Sequence, residues 1–219
     1  MTGEVVLDEV EIRVLGCLVE KEKTTPDYYP LTRNALLSAC NQKSSRDPVV
    51  SYNEQTVVAS LESLRERGLV HLITTSDGRV PRYRHVFSEA LQLSRPQNAA
   101  LCLLMLRGPQ TIGEIRQRSA RLYDFASLEE VEDTLKELAS RPVQPLVVKL
   151  ARQAGTKEPR YAQLLSGPAG EAAQPEPAPQ EPAPGDREQL QLLEAEVEKL
   201  RGQVEQLRAQ FEIFQKQFE

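Results

Sequence analysis

The sequence predicts a mainly α fold with small β-hairpins, laid down twice and followed by a separate helix. Three observations point there. Pro81-Arg82-Tyr83 recurs as Pro159-Arg160-Tyr161, each copy inside a strand-like run behind a loop that contains Gly78 or Gly155. Each copy follows an amphipathic helix with paired leucines, Leu61/Leu64 and Leu135/Leu138. The offset falls from 78 residues at the tripeptide to 74 at the leucines, a drift that suits a duplicated domain with altered loops better than a solenoid of shorter repeats. Finally, each unit reads helix, helix, helix, strand, loop, strand, which is the order of a winged helix-turn-helix, a fold most often used to bind DNA. The expected organisation is one winged-helix domain over 1–88, a second over 89–165, a Pro/Ala/Glu-rich linker over 166–186 and a heptad helix over 187–219.

The first helix opens with an Asp8/Glu11 capping box, and Leu7 is placed to staple onto Ile12. Ile12, Leu15, Leu18 and Val19 then share one face. Thr24-Thr25-Pro26-Asp27 breaks the helix, and Pro30 precedes a second helix over about 32–41 that carries Leu36, Leu37 and Cys40 at helical spacing. After a polar loop, Asn53 caps a third helix that runs to about Arg67, buries Val57, Leu61 and Leu64, and stops at Gly68. Residues 69–75 and 80–87 read as a hairpin, the wing, turning at Ser76-Asp77-Gly78.

The second unit opens at Ser94-Arg95-Pro96-Gln97 with a helix whose body, 99–106, is nearly all apolar and is therefore expected at the centre. Thr111/Glu114 and Ser127/Glu130 are capping boxes for two further helices. Residues 146–150 and 160–165 form the second wing. Six prolines between 166 and 186 mark an extended, solvated linker. Beyond it, Leu190, Leu193, Val197, Leu200, Val204, Leu207, Phe211, Phe214 and Phe218 alternate at steps of three and four. Valines at a and leucines at d favour a parallel homodimer. The alternative is an amphipathic helix that docks back on the chain's own globular part.

Charge divides unevenly. The net of −5 comes from the ends: residues 1–29 carry 3 basic and 7 acidic side chains, and residues 166–219 carry 5 and 11. Residues 30–88 carry 8 basic and 5 acidic, a net of +3, and residues 89–165 carry 11 and 9, a net of +2. The middle is thus mildly basic, a weak nucleic-acid footprint. No apolar run is long enough to cross a bilayer and no cleavable leader opens the chain, so the expected location is the cytoplasm, with no membrane partner. Cys17, Cys40 and Cys102 lack metal-ligand spacing and have apolar neighbours, the setting of buried thiols.

Enzyme signatures are missing: no glycine-rich phosphate loop, no nucleophile elbow, and only two histidines, His71 and His85, both placed in the first wing as surface or cross-strand residues. No cofactor and no metal is expected. The candidate site is for double-stranded DNA. In a winged helix the third helix enters the major groove while the wing touches phosphate or the minor groove. On that helix Gln55, Thr56, Ser60 and Arg67 stand off the buried stripe. Gln55 suits adenine and Thr56 a base or phosphate. Lys43, Ser45 and Arg46 precede the helix and suit phosphate. Arg79, Arg82 and Arg84 line the wing, with alternate side chains on one face. The second unit's third helix exposes Glu129, Glu130, Glu132, Asp133 and Glu137, which phosphates would repel. Its expected job is to brace the first unit or bind a protein partner.

The string Pro30-Leu31-Thr32-Arg33-Asn34-Ala35-Leu36, with Cys40-Asn41-Gln42-Lys43-Ser44-Ser45-Arg46-Asp47-Pro48-Val49, Gly68-Leu69-Val70 and Pro81-Arg82-Tyr83, resembles the YceH-like family of uncharacterised bacterial proteins over about residues 7–165. The resemblance implies a cytosolic protein of tandem winged helices with a coiled-coil-like C-terminal helix, and supplies no reaction or ligand. Residues 41–49 match that family's most distinctive stretch, which adds Asn41, Gln42 and Asp47 to the candidate site. Two functions follow: a DNA-binding, regulator-like protein, or a protein-interaction scaffold that uses the winged helices and the heptad tail.

Overall fold

In the computed structural model, residues 5–74, 80–152 and 158–167 are described. They are mainly α, with seven helices and two small antiparallel sheets, and all lie within one unit, Met1–Glu176. The expected linker beyond Gly167 and the expected heptad positions Leu190, Leu193, Val197, Leu200, Val204, Leu207, Phe211 and Phe214 lie outside the described residues.

Helix α1 (Glu9–Thr24) starts as its cap dictates. Asp8 Oδ1 accepts from the Glu11 amide and the Glu11 carboxylate accepts from the Asp8 amide, both at 2.8 Å. The helix is buried all round from Glu11 to Val19. Helix α2 (Arg33–Cys40) is capped by Thr32 and helix α3 (Glu54–Glu66) by Asn53. Gly68, at φ 67°, lets the chain leave α3 through the left-handed region. Strands β1 (Leu31–Thr32), β2 (Val70–Ile73) and β3 (Arg82–His85) form a sheet in the order β1-β3-β2. Leu31 and Leu72 face Tyr83, while His71 faces Arg84 and Ile73 faces Arg82. The strands are shorter than the expected 69–75 and 80–87. The Val86 amide still donates to Leu69 at 2.9 Å, but Phe87 is fully buried and opens a short helix, α4 (Phe87–Ala90).

Helix α5 (Arg95–Arg107) carries the Ser94/Gln97 box and is buried from Asn98 to Leu106. Such all-round burial is what an apolar helix without a polar face requires. Helices α6 (Ile112–Ser119) and α7 (Leu128–Ala139) follow, then strands β4 (Val147–Lys149) and β5 (Tyr161–Gln163), paired antiparallel. The second sheet has two strands, but Gln110 bridges Tyr161 through a pair of backbone bonds of 3.0 and 2.8 Å, where Leu31 meets Tyr83 in the first.

The repeated tripeptide has a structural reason. Arg82 Nη1 donates to the Pro30 carbonyl at 2.9 Å, and Arg160 Nη1 donates to the Pro109 carbonyl at 2.8 Å. Thr32 and Thr111, two residues after those prolines, cap α2 and α6. Tyr83 and Tyr161 point the other way, into the core. The arginine clips the hairpin to the start of the second helix of its half, and the tyrosine fills the interior beneath.

The two halves pack through α1 and α5. A side chain at Gly16 would meet Leu106 at 3.0 Å, so glycine sets the closeness of these helices. Cys102 donates its thiol proton to the Gly16 carbonyl at 3.6 Å. Cys17, Cys40 and Cys102 are all buried and free, as their apolar neighbours predicted. Further ties cross the seam: Leu7 to Leu165 at 2.7 Å, Asp47 to Leu106 at 2.9 Å, and a reciprocal pair between Val5 and Gln144 at 2.8 and 2.9 Å.

Candidate functional site

Helix α3 packs inward on α1, α2 and β2, and its outer side is open. Glu54, Gln55, Ala59, Glu62, Arg65 and Glu66 are exposed there. Gln55 is free to reach outward. Thr56 is partly committed, since its hydroxyl donates to Asn53 Oδ1 at 2.9 Å. Ser60 corrects the expectation: it is buried, and its Oγ has no hydrogen-bond partner among the described residues. It stands three residues after Val57 and four before Leu64, inside the apolar stripe rather than off it. Arg67 is half exposed but occupied. It donates to the Val6 carbonyl at 2.7 Å and lies 3.4 Å from the Glu11 carboxylate, so it ties the end of α3 to the start of α1.

Beside α3, the outer face of the sheet carries Arg82, Arg84 and His71 together, because β3 turns Tyr83 and His85 inward. Arg84 lies 3.8 Å from Glu89. Arg82 is exposed, and one bond to Pro30 leaves most of its five donors available. Arg79 lies outside the described residues.

The loop over 41–49 divides into an inner and an outer set. Lys43, Ser44, Ser45 and Asp47 are exposed. Arg46 is the main correction: its side chain is fully buried. Its guanidinium donates to Glu20 at 2.9 and 2.7 Å, to the Ala39 carbonyl at 3.2 and 3.1 Å, to the Ser45 carbonyl at 2.9 Å and to Gln42 Oε1 at 2.9 Å. Burial, the largest single influence, opposes its charge, but Glu20 and Cys17 together outweigh it and hold the guanidinium above its ordinary range. Likewise burial raises the Glu20 carboxyl, and Arg46 with Lys21 brings it below its usual range. Such a group cannot also bind a phosphate outside. Asn41 is spent too: its carboxamide holds the Tyr52 backbone by bonds of 2.9 and 2.8 Å. The inner set therefore shapes the loop, and the outer set is what it shows.

The counterpart helix α7 exposes Glu129, Asp133 and Glu137 at i, i+4, i+8 spacing. Lys136 pairs with Glu132 and Asp133 at 3.3 Å each. Glu130 is turned to internal duty: it accepts from Tyr123 Oη at 2.6 Å and from the Ala126 amide at 2.8 Å. It therefore leaves the Ser127/Glu130 box half made, with only Ser127 accepting from Glu130. Of the basic residues near it, Arg116 is taken by the Phe125 and Ala126 carbonyls at 3.4 and 3.1 Å.

His71 is exposed, as expected, but His85 is buried. Its ring lies edge-on to Tyr29 and 3.5 Å from the Glu22 carboxylate. His85, with Lys23 at 2.8 Å, holds the Glu22 carboxyl down at about 2. Among the described residues, no cluster of His, Cys, Asp and Glu could hold a metal ion, and no helix is long and apolar enough to cross a membrane. Arg65, an exposed basic residue outside the expected site, lines a groove of about 590 Å³ with Glu62, Glu66, His71 and Leu72. The i, i+3, i+4 spacing of residues 62, 65 and 66 was the available signal.

A family model described as "Protein of unknown function, DUF480" matches residues 7–156. The chain is 51% identical over 177 residues to a UPF0502 protein of Opitutus terrae, covering 81% of this chain and 76% of that one. It is 50% identical over 190 residues to a UPF0502 protein of Solibacter usitatus, covering 87% and 90%. A UPF0502 protein of Pelobacter propionicus is 54% identical over 164 residues, covering 75% and 74%.

Proposed function

We propose that this chain, which belongs to the DUF480 family of proteins of unknown function, is a non-enzymatic tandem winged-helix protein that binds double-stranded DNA through α3 and the β2–β3 wing. One observation carries the reading. The outer side of α3 is left uncovered, and the sheet face beside it presents Arg82, Arg84 and His71 together. A third helix with a free outer side and an adjacent basic hairpin is the arrangement that lets a helix enter the major groove while the wing meets backbone. In this reading Gln55 and Thr56, near the start of α3, face base edges. Lys43, Ser45, Arg82 and Arg84 meet phosphates. Arg46, Asn41 and Ser60 are support, not contacts.

The test is fluorescence anisotropy of a labelled duplex with the full chain across a salt series. Affinity falls steeply with salt, and Arg82→Ala with Arg84→Ala reduces the slope of log K against log salt by about 2. No binding at low salt overturns the proposal.

The acidic stripe of Glu129, Asp133 and Glu137 favours a second reading, an interaction scaffold whose second half takes a basic protein partner and whose residues 187–219 pair as a homodimer. A pull-down with and without residues 186–219 separates the two. Loss of every partner on deletion, with no DNA bound by either form, favours the scaffold.

A further inference from the structure

A cleft of about 230 Å³ opens between the two halves, bounded by α1, the loop after α2, α5 and α6. Its lining gathers Lys21, Arg107, Arg118 and Arg121 against one carboxylate, Glu20. That carboxylate is already engaged, by Arg46 at 2.7 Å and by Lys21 at 3.2 Å. Arg118 is fixed in place by Gln110 and by Glu114 at 3.3 Å. The guanidiniums of Arg107 and Arg121 have no hydrogen bond or ion pair among the described residues. Burial, and then the nearby charge of Arg118, push Arg107 below its ordinary range. Like charges gathered in a concave, partly desolvated site cost free energy that an anion would offset. Ser44 and Ser45 line the same space.

We infer that this cleft binds a phosphate-bearing small molecule, with Arg107, Arg118, Arg121 and Lys21 as its cationic contacts. Guanidiniums match phosphate oxygens in geometry as well as charge. The cavity also fits a compact ligand better than a duplex. A convex DNA backbone reaches an exposed residue such as Arg121, whereas the Lys21 side chain is only 17% exposed and Arg107 is half-buried. The four cationic contacts lie away from α3 and the wing, and the cleft shares only Ser45 with the proposed DNA contacts, so the inference does not rest on DNA binding.

The experiment is isothermal titration calorimetry of the full chain with sodium pyrophosphate, against sodium chloride at matched ionic strength. One saturable site per chain is expected. Arg121→Gln, at an exposed and unpaired position, weakens it by about tenfold or more, as loss of a charge-assisted bond should. Arg107→Gln does the same and raises the melting temperature of the ligand-free protein, because it relieves repulsion. Arg82→Ala with Arg84→Ala leaves pyrophosphate binding unchanged. Absence of saturable heat, or unchanged binding in both cleft variants, overturns the inference. A lower ligand-free melting temperature with unchanged binding in Arg107→Gln assigns that residue to the frame and also overturns it. Duplex binding that needs Arg107 and Arg121, in a protein that gives no heat with pyrophosphate, assigns the cleft to DNA backbone instead.

Discussion

In residues 5–88 the connection between α2 and α3 is held from inside by a buried arginine, Arg46, bonded to Glu20 and to three backbone or carboxamide oxygens nearby. In residues 89–167 the matching connection between α6 and α7 is held differently. Tyr123 and Phe125 stack edge-on with centroids 4.8 Å apart, and Glu130 takes bonds from Tyr123 and Ala126. The clip beneath each hairpin is nevertheless the same, arginine to a proline carbonyl. The two halves thus share the clip but hold their loops by different means, one ionic and one aromatic. Their outer helices differ as well, mixed in charge on α3 and acidic on α7.

The largest test of that contrast is Arg46→Met. Removing one member of a buried ion pair should cost about 3–5 kcal/mol in urea unfolding, and adding Glu20→Gln should restore part of it. Phe125→Leu in the other half should cost only about 1–2 kcal/mol, the scale of lost packing. Equal costs would break the distinction between an ionic and an aromatic loop. A middle-sized test compares the two clips. Arg160 also meets Glu114 at 2.9 Å, whereas Arg82 meets only Pro30 among the described residues, so Arg160→Ala should cost about 1–2 kcal/mol and Arg82→Ala about 0.5–1. A reversed order would show that the Glu114 contact adds nothing to the Arg160 clip. The smallest effect concerns acid. The folded Glu22 carboxyl sits at about 2 against an ordinary 4.5. Its contribution is therefore complete above about pH 4.5 and is lost as pH falls toward 2. Glu22→Gln should flatten the fall in melting temperature over that window, and an unaltered acid limb would remove the role given to His85 and Lys23.

Local chemistry was legible where it was self-contained. Asp8/Glu11, Ser94/Gln97 and Thr111/Glu114 are complete caps within three residues, and each starts the helix it announced. The apolar body of α5 named itself as the centre. What could not be read depended on distant partners. An arginine in a polar loop resembles a surface group, and Arg46 is internal only because Cys17 and Glu20, 29 and 26 residues earlier, lie beneath it. Strand β1 is two residues long and exists because Tyr83 pairs with Leu31 across 52 positions of chain. Ser60 was legible and was misread, since its spacing from Val57 and Leu64 already placed it inside.

The close passage of α1 over α5 at Gly16, with Leu7 joined to Leu165 and Val5 to Gln144, has a mechanical result. The first residues described are stitched to the last, so neither half is a free-standing bead on a string. A nick at the turn around Gln92 would leave two fragments that still travel as one particle. The outer helices α3 and α7, one in each half, are consequently carried on a single frame.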